Sequence, residues 1–152
     1  AVSVDVGCVR MTERHLVGDP PTPAQIAATW ADIDAAVSQA AQTVPLGNAA
    51  CFVGLAGTVT TVAAMAMDLP EYDEALLHGS VIGYDAVVDV TARLLAMTRA
   101  ERAALPFMHP GRVDVIAGGA MVLQAAMRVA GADRVIVSET DILDGIVYSL
   151  SA

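Results

Sequence analysis

Lysine is absent from this sequence; all 8 basic residues are arginines. No side chain can therefore act as a P-loop lysine, a Schiff-base lysine or the base of a Ser–Lys dyad. Positive charge is scarce overall. The 17 acidic residues leave a net charge of −9, which argues against nucleic acid or an anionic membrane as partner, since both depend on clustered positive charge. Cysteine is rare too. Cys8 and Cys51 make no disulfide framework and no CxxC, and they are expected as buried thiols in a reducing cytoplasm. With His15, His78 and His109 they do not fall at metal-ligand spacing, so no metal site is expected of them. No charged n-region with an apolar h-region opens the chain. It begins at Ala1 instead of Met, and is expected to be part of a longer polypeptide.

What is present is mostly apolar. Of the 152 residues, 55% are hydrophobic and 16% charged, which excludes a disordered chain and suits about one domain with a real core. From Ala49 to Met67 no residue is charged, a run long enough to span a membrane. However, Gly54, Gly57, Thr58, Thr60 and Thr61 occupy its middle, and Asp68-Leu69-Pro70 closes it. A buried strand, a glycine loop and a buried helix explain this run better than lipid does.

Val2, Val4 and Val6 alternate with polar residues, and Val9 and Met11 continue the alternation past Gly7, so a strand is expected over the first residues. After the loop at Gly18-Asp19-Pro20-Pro21, Thr22, Pro23 and Gln25 form a capping box with proline at the first helical position. The helix they start carries Ile26, Trp30, Ile33, Val37 and Val44 on its apolar side and stops at Pro45 and Gly47. Ala50 to Val53 is an apolar strand of the type buried on both faces. A turn over Gly54–Thr58 then leads into a helix that ends at Met67. Further helices are expected over 84–97, after the capping box Thr98–Glu101, and over 113–129, where Gly118-Gly119 leaves a strand–turn–helix reading open. Val135 to Val137 is a strand, and Thr140 is expected to cap a last helix through Ile142, Ile146 and Leu150. Met65, Met67, Met121 and Met127 are expected to fill the core. The order is that of an α/β protein.

The chemistry is concentrated where the apolar strand meets the next helix. A helix N-terminus has backbone N–H groups without partners and the positive end of the macrodipole, so it attracts an anion. Glycines at 54 and 57 let a phosphate approach the backbone, and Thr58 and Thr61 add hydroxyls. The same residues also suit a tight turn in which the threonines merely cap. Gly54-x-x-Gly57 lacks the spacing of a dinucleotide fingerprint. Elsewhere, His109-Pro110-Gly111-Arg112 places an arginine on a loop, where a guanidinium can clasp a phosphate oxygen bidentately. Asp141 and Asp144 suit a helix N-terminus and need no metal.

Four stretches together resemble the exopolyphosphatase / guanosine pentaphosphate phosphohydrolase (Ppx/GppA) family. They are Val6-Gly7-Cys8-Val9-Arg10-Met11-Thr12-Glu13, the run from Gly54-Leu55-Ala56-Gly57-Thr58 to Ala64, Arg112-Val113-Asp114 to Ala120, and Val137-Ser138-Glu139-Thr140 to Gly145. The resemblance implies an α/β, RNase H-like domain of the actin-like ATPase architecture that sugar kinases share. It implies that residues 1–152 are the second such domain of a two-domain phosphatase, with residues 71–112 as a helical insertion and the first domain absent from this chain. It implies further a cytoplasmic hydrolase that attacks a terminal phosphoanhydride with water and magnesium. The substrate would be inorganic polyphosphate or guanosine pentaphosphate of the stringent response. Gly54, Gly57, Thr58 and Thr61 match the family's phosphate loop, with Ala56 where a glycine is common, and Arg112 and Arg10 are candidate ligand-side arginines. No catalytic residue and no metal ligand is expected among these residues; base and magnesium would come from the absent half. The alternative is a non-catalytic actin-like module that binds guanosine tetra- or pentaphosphate as a regulatory ligand. Open sheet edges lead to the expectation of a homodimer.

Overall fold

The computed structural model describes residues 1–150. Its first regular element is a helix, α1 (Cys8–His15), and the strand expected over Val2–Met11 is not formed. Period-2 valines gave way to packing: Met11 is fully buried while Val9 points to solvent, as a helix dictates, and Arg14 and His15 lie in the last turn, the favourable end for cations. Helix α2 (Pro23–Thr43) starts as its capping box requires, with Gln25 N–H donating to Thr22 Oγ1 and Thr22 N–H donating to Gln25 Oε1 at 2.8 Å. Ile33 and Val37 are its buried residues among the apolar positions. Asp32 of α2 accepts from His15 Nε2 (2.8 Å) and Arg14 Nη1 (2.6 Å), tying α1 to α2. These bonds, His15 first, hold the Asp32 carboxyl below its ordinary pKa. The link therefore stabilises above the ordinary carboxylate range and is lost as pH falls through the lowered value.

Strand β1 (Val53–Leu55) runs into α3 (Ala56–Ala66), followed by a short α4 (Glu74–Leu77) and β2 (Val81–Gly83). Helices α5 (Tyr84–Ala96) and α6 (Arg99–Ala103) come next, with the Thr98–Glu101 capping box present. A single 3-10 turn (Pro110–Arg112) leads into α7 (Ile116–Ala130), and β3 (Arg134–Ser138) and α8 (Ile142–Leu150) close the described chain. Asp141 serves α8 where Thr140 was expected to: its Oδ1 accepts from Leu143 N–H at 2.7 Å, and its own N–H donates to Asp144 Oδ2 at 2.7 Å. The segment 71–112, expected as a helical insertion, also supplies β2.

The three strands are ordered β1-β3-β2, with β1 parallel and β2 antiparallel to β3. Register puts Gly54 beside Val137 and Ile82 beside Val135, all buried on one face under α3 and α5. Among the described residues the other face is not covered, which corrects the reading of Ala50–Val53 as a strand buried on both sides: the strand lies at Val53–Leu55, and Val53 and Leu55 are about half exposed. No helix among the described residues is long and apolar enough to cross a membrane.

Helix α7 is the centre of the core and touches α1, α2, α3 and α5. Gly118 and Gly119 lie inside it, so the strand–turn–helix reading falls away. Their lack of Cβ lets three helices meet. A Cβ at Gly118 would come within 2.8 Å of Thr12 Oγ1, and one at Gly119 within 2.6 Å of Thr58 Oγ1 and 3.0 Å of Cys8 Cβ. Met65, Met121 and Met127 are buried as expected, but Met67, beyond the end of α3, is 37% exposed. The cysteines also differ from expectation, since Cys8 is half-buried at the helix junction and Cys51 is exposed.

Candidate functional site

Strand β1 delivers the chain to α3 through Leu55, whose side chain offers no cap to the helix N-terminus. Among the described residues no side chain accepts from the first N–H groups of α3. Ala56 sits there at φ +69°, in the left-handed region. That conformation costs a residue with a Cβ on the order of 1–2 kcal/mol, and glycine almost nothing. Part of the relief is offset by the greater freedom of glycine in the unfolded chain. Ala56→Gly is thus expected to stabilise the protein by about 0.5–1 kcal/mol, raising the thermal midpoint by roughly 1–4 °C. A midpoint that stays level or drops in calorimetry would overturn the strain argument.

The loop residues divide into separate tasks. Gly54 is buried in β1, and a Cβ there would strike Val59 Cγ1 at 2.7 Å and Val135 Cγ2 at 2.9 Å, so its smallness serves packing of α3 on the sheet. Gly57 is different. A Cβ on Gly57 would fall on Nε, Cζ and Nη2 of Arg112, whose guanidinium lies flat against this backbone. Thr61 is buried, and its hydroxyl links the two. It donates to Gly57 O at 2.7 Å and accepts from Arg112 Nη1 at 3.0 Å. Thr58, half-buried, rests its hydroxyl against Gly119 of α7. Thus the structure brings Gly57, Thr58, Thr61 and Arg112 together at the start of α3. It does not bring Arg10 with them, because Arg10 pairs with Asp5.

Arg112 is held from several sides. The 3-10 turn that carries it is capped by His109, whose Nδ1 accepts from Gly111 N–H at 3.1 Å. The buried Arg102 donates from Nε to Val113 O at 2.9 Å, fixing the next residue. The ring of Tyr72 lies 5.8 Å from the guanidinium carbon, at cation–π distance. Arg10, Arg14, Arg93, Arg99, Arg102, Arg128 and Arg134 each have a carboxylate within 4.0 Å. Among the described residues Arg112 alone has none. A guanidinium left uncompensated beside an uncapped helix N-terminus leaves local positive potential in a chain of net charge −9. Such an arrangement suits an anion chemically.

Tyr72 and Glu139 complete the rim, and the sequence reading missed Tyr72. The Tyr72 hydroxyl donates to Glu139 Oε1 at 2.7 Å and lies 2.7 Å from Thr60 Oγ1. Burial, and to a lesser degree Glu139, hold the phenol above its ordinary pKa against the opposing pull of Thr60 and Arg112, so it stays protonated. Among the described residues no three His, Cys, Asp or Glu side chains come together to hold a metal ion.

The sequence profile of the Ppx/GppA phosphatase family matches residues 1–152. Exopolyphosphatase 2 of Mycobacterium tuberculosis is 47% identical over 153 residues, which cover 98% of this chain and 48% of that protein. A solved structure of an exopolyphosphatase-like protein superposes with a TM-score of 0.93 at 41% identity, over 97% of this chain and 49% of that one. The crystal structure of the Aquifex aeolicus Ppx/GppA phosphatase, type II variant, gives a TM-score of 0.87 at 25% identity, over 97% of this chain and 48% of that one. The chain spans about half the length of the curated relatives it matches at this level.

Proposed function

The chain belongs to the Ppx/GppA phosphatase family and shares its actin-like α/β fold as a partial domain, and from that premise we propose that it is the phosphate-holding half of a phosphoanhydride hydrolase. In this reading, residues 56–58 and Arg112 grip phosphates of a polyphosphate chain while water attacks the terminal one. The general base and the ligands of magnesium belong to the part of the relatives' length that these residues do not span. The observation that carries the reading is Arg112, without a carboxylate among the described residues and laid against Gly57 at the start of α3. Polyphosphate is the substrate we favour over guanosine pentaphosphate. Tyr72, the aromatic ring at the site, already has one face engaged by Arg112, which leaves less of it for stacking a guanine.

The test is the behaviour of Arg112 in the full-length protein. A planar fork matches phosphate geometry where an ammonium does not. Arg112→Lys is therefore expected to be nearly as harmful as Arg112→Ala, each raising KM for polyphosphate about tenfold or more, the scale of a lost charge-assisted contact. Full activity of the lysine variant would leave only plain charge at this position. Normal kinetics in both variants would remove Arg112 from the site.

A further inference from the structure

We propose that Tyr72 is a positioning residue that keeps the Glu139 carboxylate from pairing with Arg112, so that the guanidinium remains free for phosphate. This inference rests on the phosphate-holding role of Arg112. Three observations carry it. The Tyr72 ring supports the guanidinium by its face, a contact that adds no negative charge. Its hydroxyl holds Glu139 Oε1 at 2.7 Å, and Thr60 Oγ1, 2.7 Å away, fixes that hydroxyl from the floor of the site. Glu139 and Arg112, which has no carboxylate within 4.0 Å among the described residues, both contact Tyr72, one through its hydroxyl and one through its ring. The Glu139 backbone is held as well, since its N–H donates to His78 Nδ1 at 3.2 Å.

The physical consequence follows from the geometry. A carboxylate and a guanidinium that share one neighbouring side chain can pair when that neighbour lets go of either, and a carboxylate competes with phosphate for the same bidentate donors. Tyr72 satisfies the carboxylate through its hydroxyl and the guanidinium through its ring. Loss of the hydroxyl alone releases Glu139 onto Arg112. It leaves ring, volume and packing in place.

The experiment is a double-mutant cycle on the full-length protein, read as the Kd for tripolyphosphate by titration calorimetry at fixed ionic strength. Tyr72→Phe is expected to weaken binding about tenfold, the equivalent of one charge-assisted interaction. On a Glu139→Gln background the same loss of hydroxyl is expected to change Kd less than about twofold, because no carboxylate is left to release. An unchanged Kd in Tyr72→Phe overturns the inference. So does an equal loss on both backgrounds, which would give the hydroxyl a role independent of Glu139. Arg112→Ala separates the two levels. If it binds tripolyphosphate as well as the parent, the phosphate-holding role itself fails; if it binds poorly while Tyr72→Phe is silent, only the role of Tyr72 fails.

Discussion

Gly57→Ala is expected to cost the full-length protein about as much affinity for polyphosphate as Arg112→Ala, about tenfold or more, while the unfolding midpoint holds or rises slightly. The added Cβ would occupy the volume of the Arg112 guanidinium. That group is the far end of a flexible side chain, so it moves outward and no backbone has to shift. The cost to the fold is then small, and alanine is the better helix former in the first turn of α3 by up to about 1 kcal/mol. The cost to the site is large. The displaced guanidinium loses the Thr61 hydroxyl at 3.0 Å and the face of Tyr72 together. Stability and affinity should thus move independently, which separates a positioning glycine from a merely structural one. Wild-type affinity in Gly57→Ala, measured beside an unchanged melting curve, would show that phosphate does not need Arg112 in this place.

Helices announced by local chemistry were legible in the sequence. The capping boxes at Thr22–Gln25 and Thr98–Glu101 sit at the starts of α2 and α6 because a cap is satisfied within four residues and needs no distant partner. The start of the chain was not legible for the opposite reason. Val2, Val4 and Val6, and after the interruption at Gly7 Val9 and Met11, follow a strand period, but what decides the conformation of Cys8–His15 is its docking on α7 at Gly118 and Gly119, more than 100 residues away. Strand β2 was missed for a similar reason. Three residues, Val81–Gly83, carry no period of their own and are a strand through pairing with β3.

At the site, sequence reading gathered the right neighbourhood and mixed its tasks. Gly54 and Gly57 look alike in a string, yet one makes room for Val59 and Val135 and the other for Arg112. Thr61, read as a hydroxyl for the ligand, is buried and spends its bonds on Gly57 O and Arg112. Tyr72 gave no signal, because a lone tyrosine in a loop acquires its role only from three residues that the fold brings to it from elsewhere in the chain. Charge accounting fails in the sequence as well: Arg112 has Asp114 two residues on, and only the fold shows that carboxylate taken by Arg99 at 2.6 Å.

Purified residues 1–152 by themselves are expected to release no phosphate from polyphosphate or guanosine pentaphosphate, and to associate with a second copy. Hydrolysis needs a base within hydrogen-bond reach of the attacking water and a held metal. The described residues bring together no metal-holding group of His, Cys, Asp and Glu. Glu139, the carboxylate at the rim, is already engaged by Tyr72. Association follows from what the fold leaves bare. One face of the sheet carries Val53, Leu55 and Val81 about half exposed, and β1 and β2 both end the sheet with an open edge. Helix α8 buries none of its residues, and Ile142 and Leu150 are 74% and 83% exposed. Unpaired strand edges and contiguous apolar surface favour pairing over solvation. The mass by light scattering and a magnesium-containing phosphate-release assay test the two halves of the expectation separately: a well-behaved monomer would sink the edge argument, and turnover by the isolated residues would return the catalytic base to this chain.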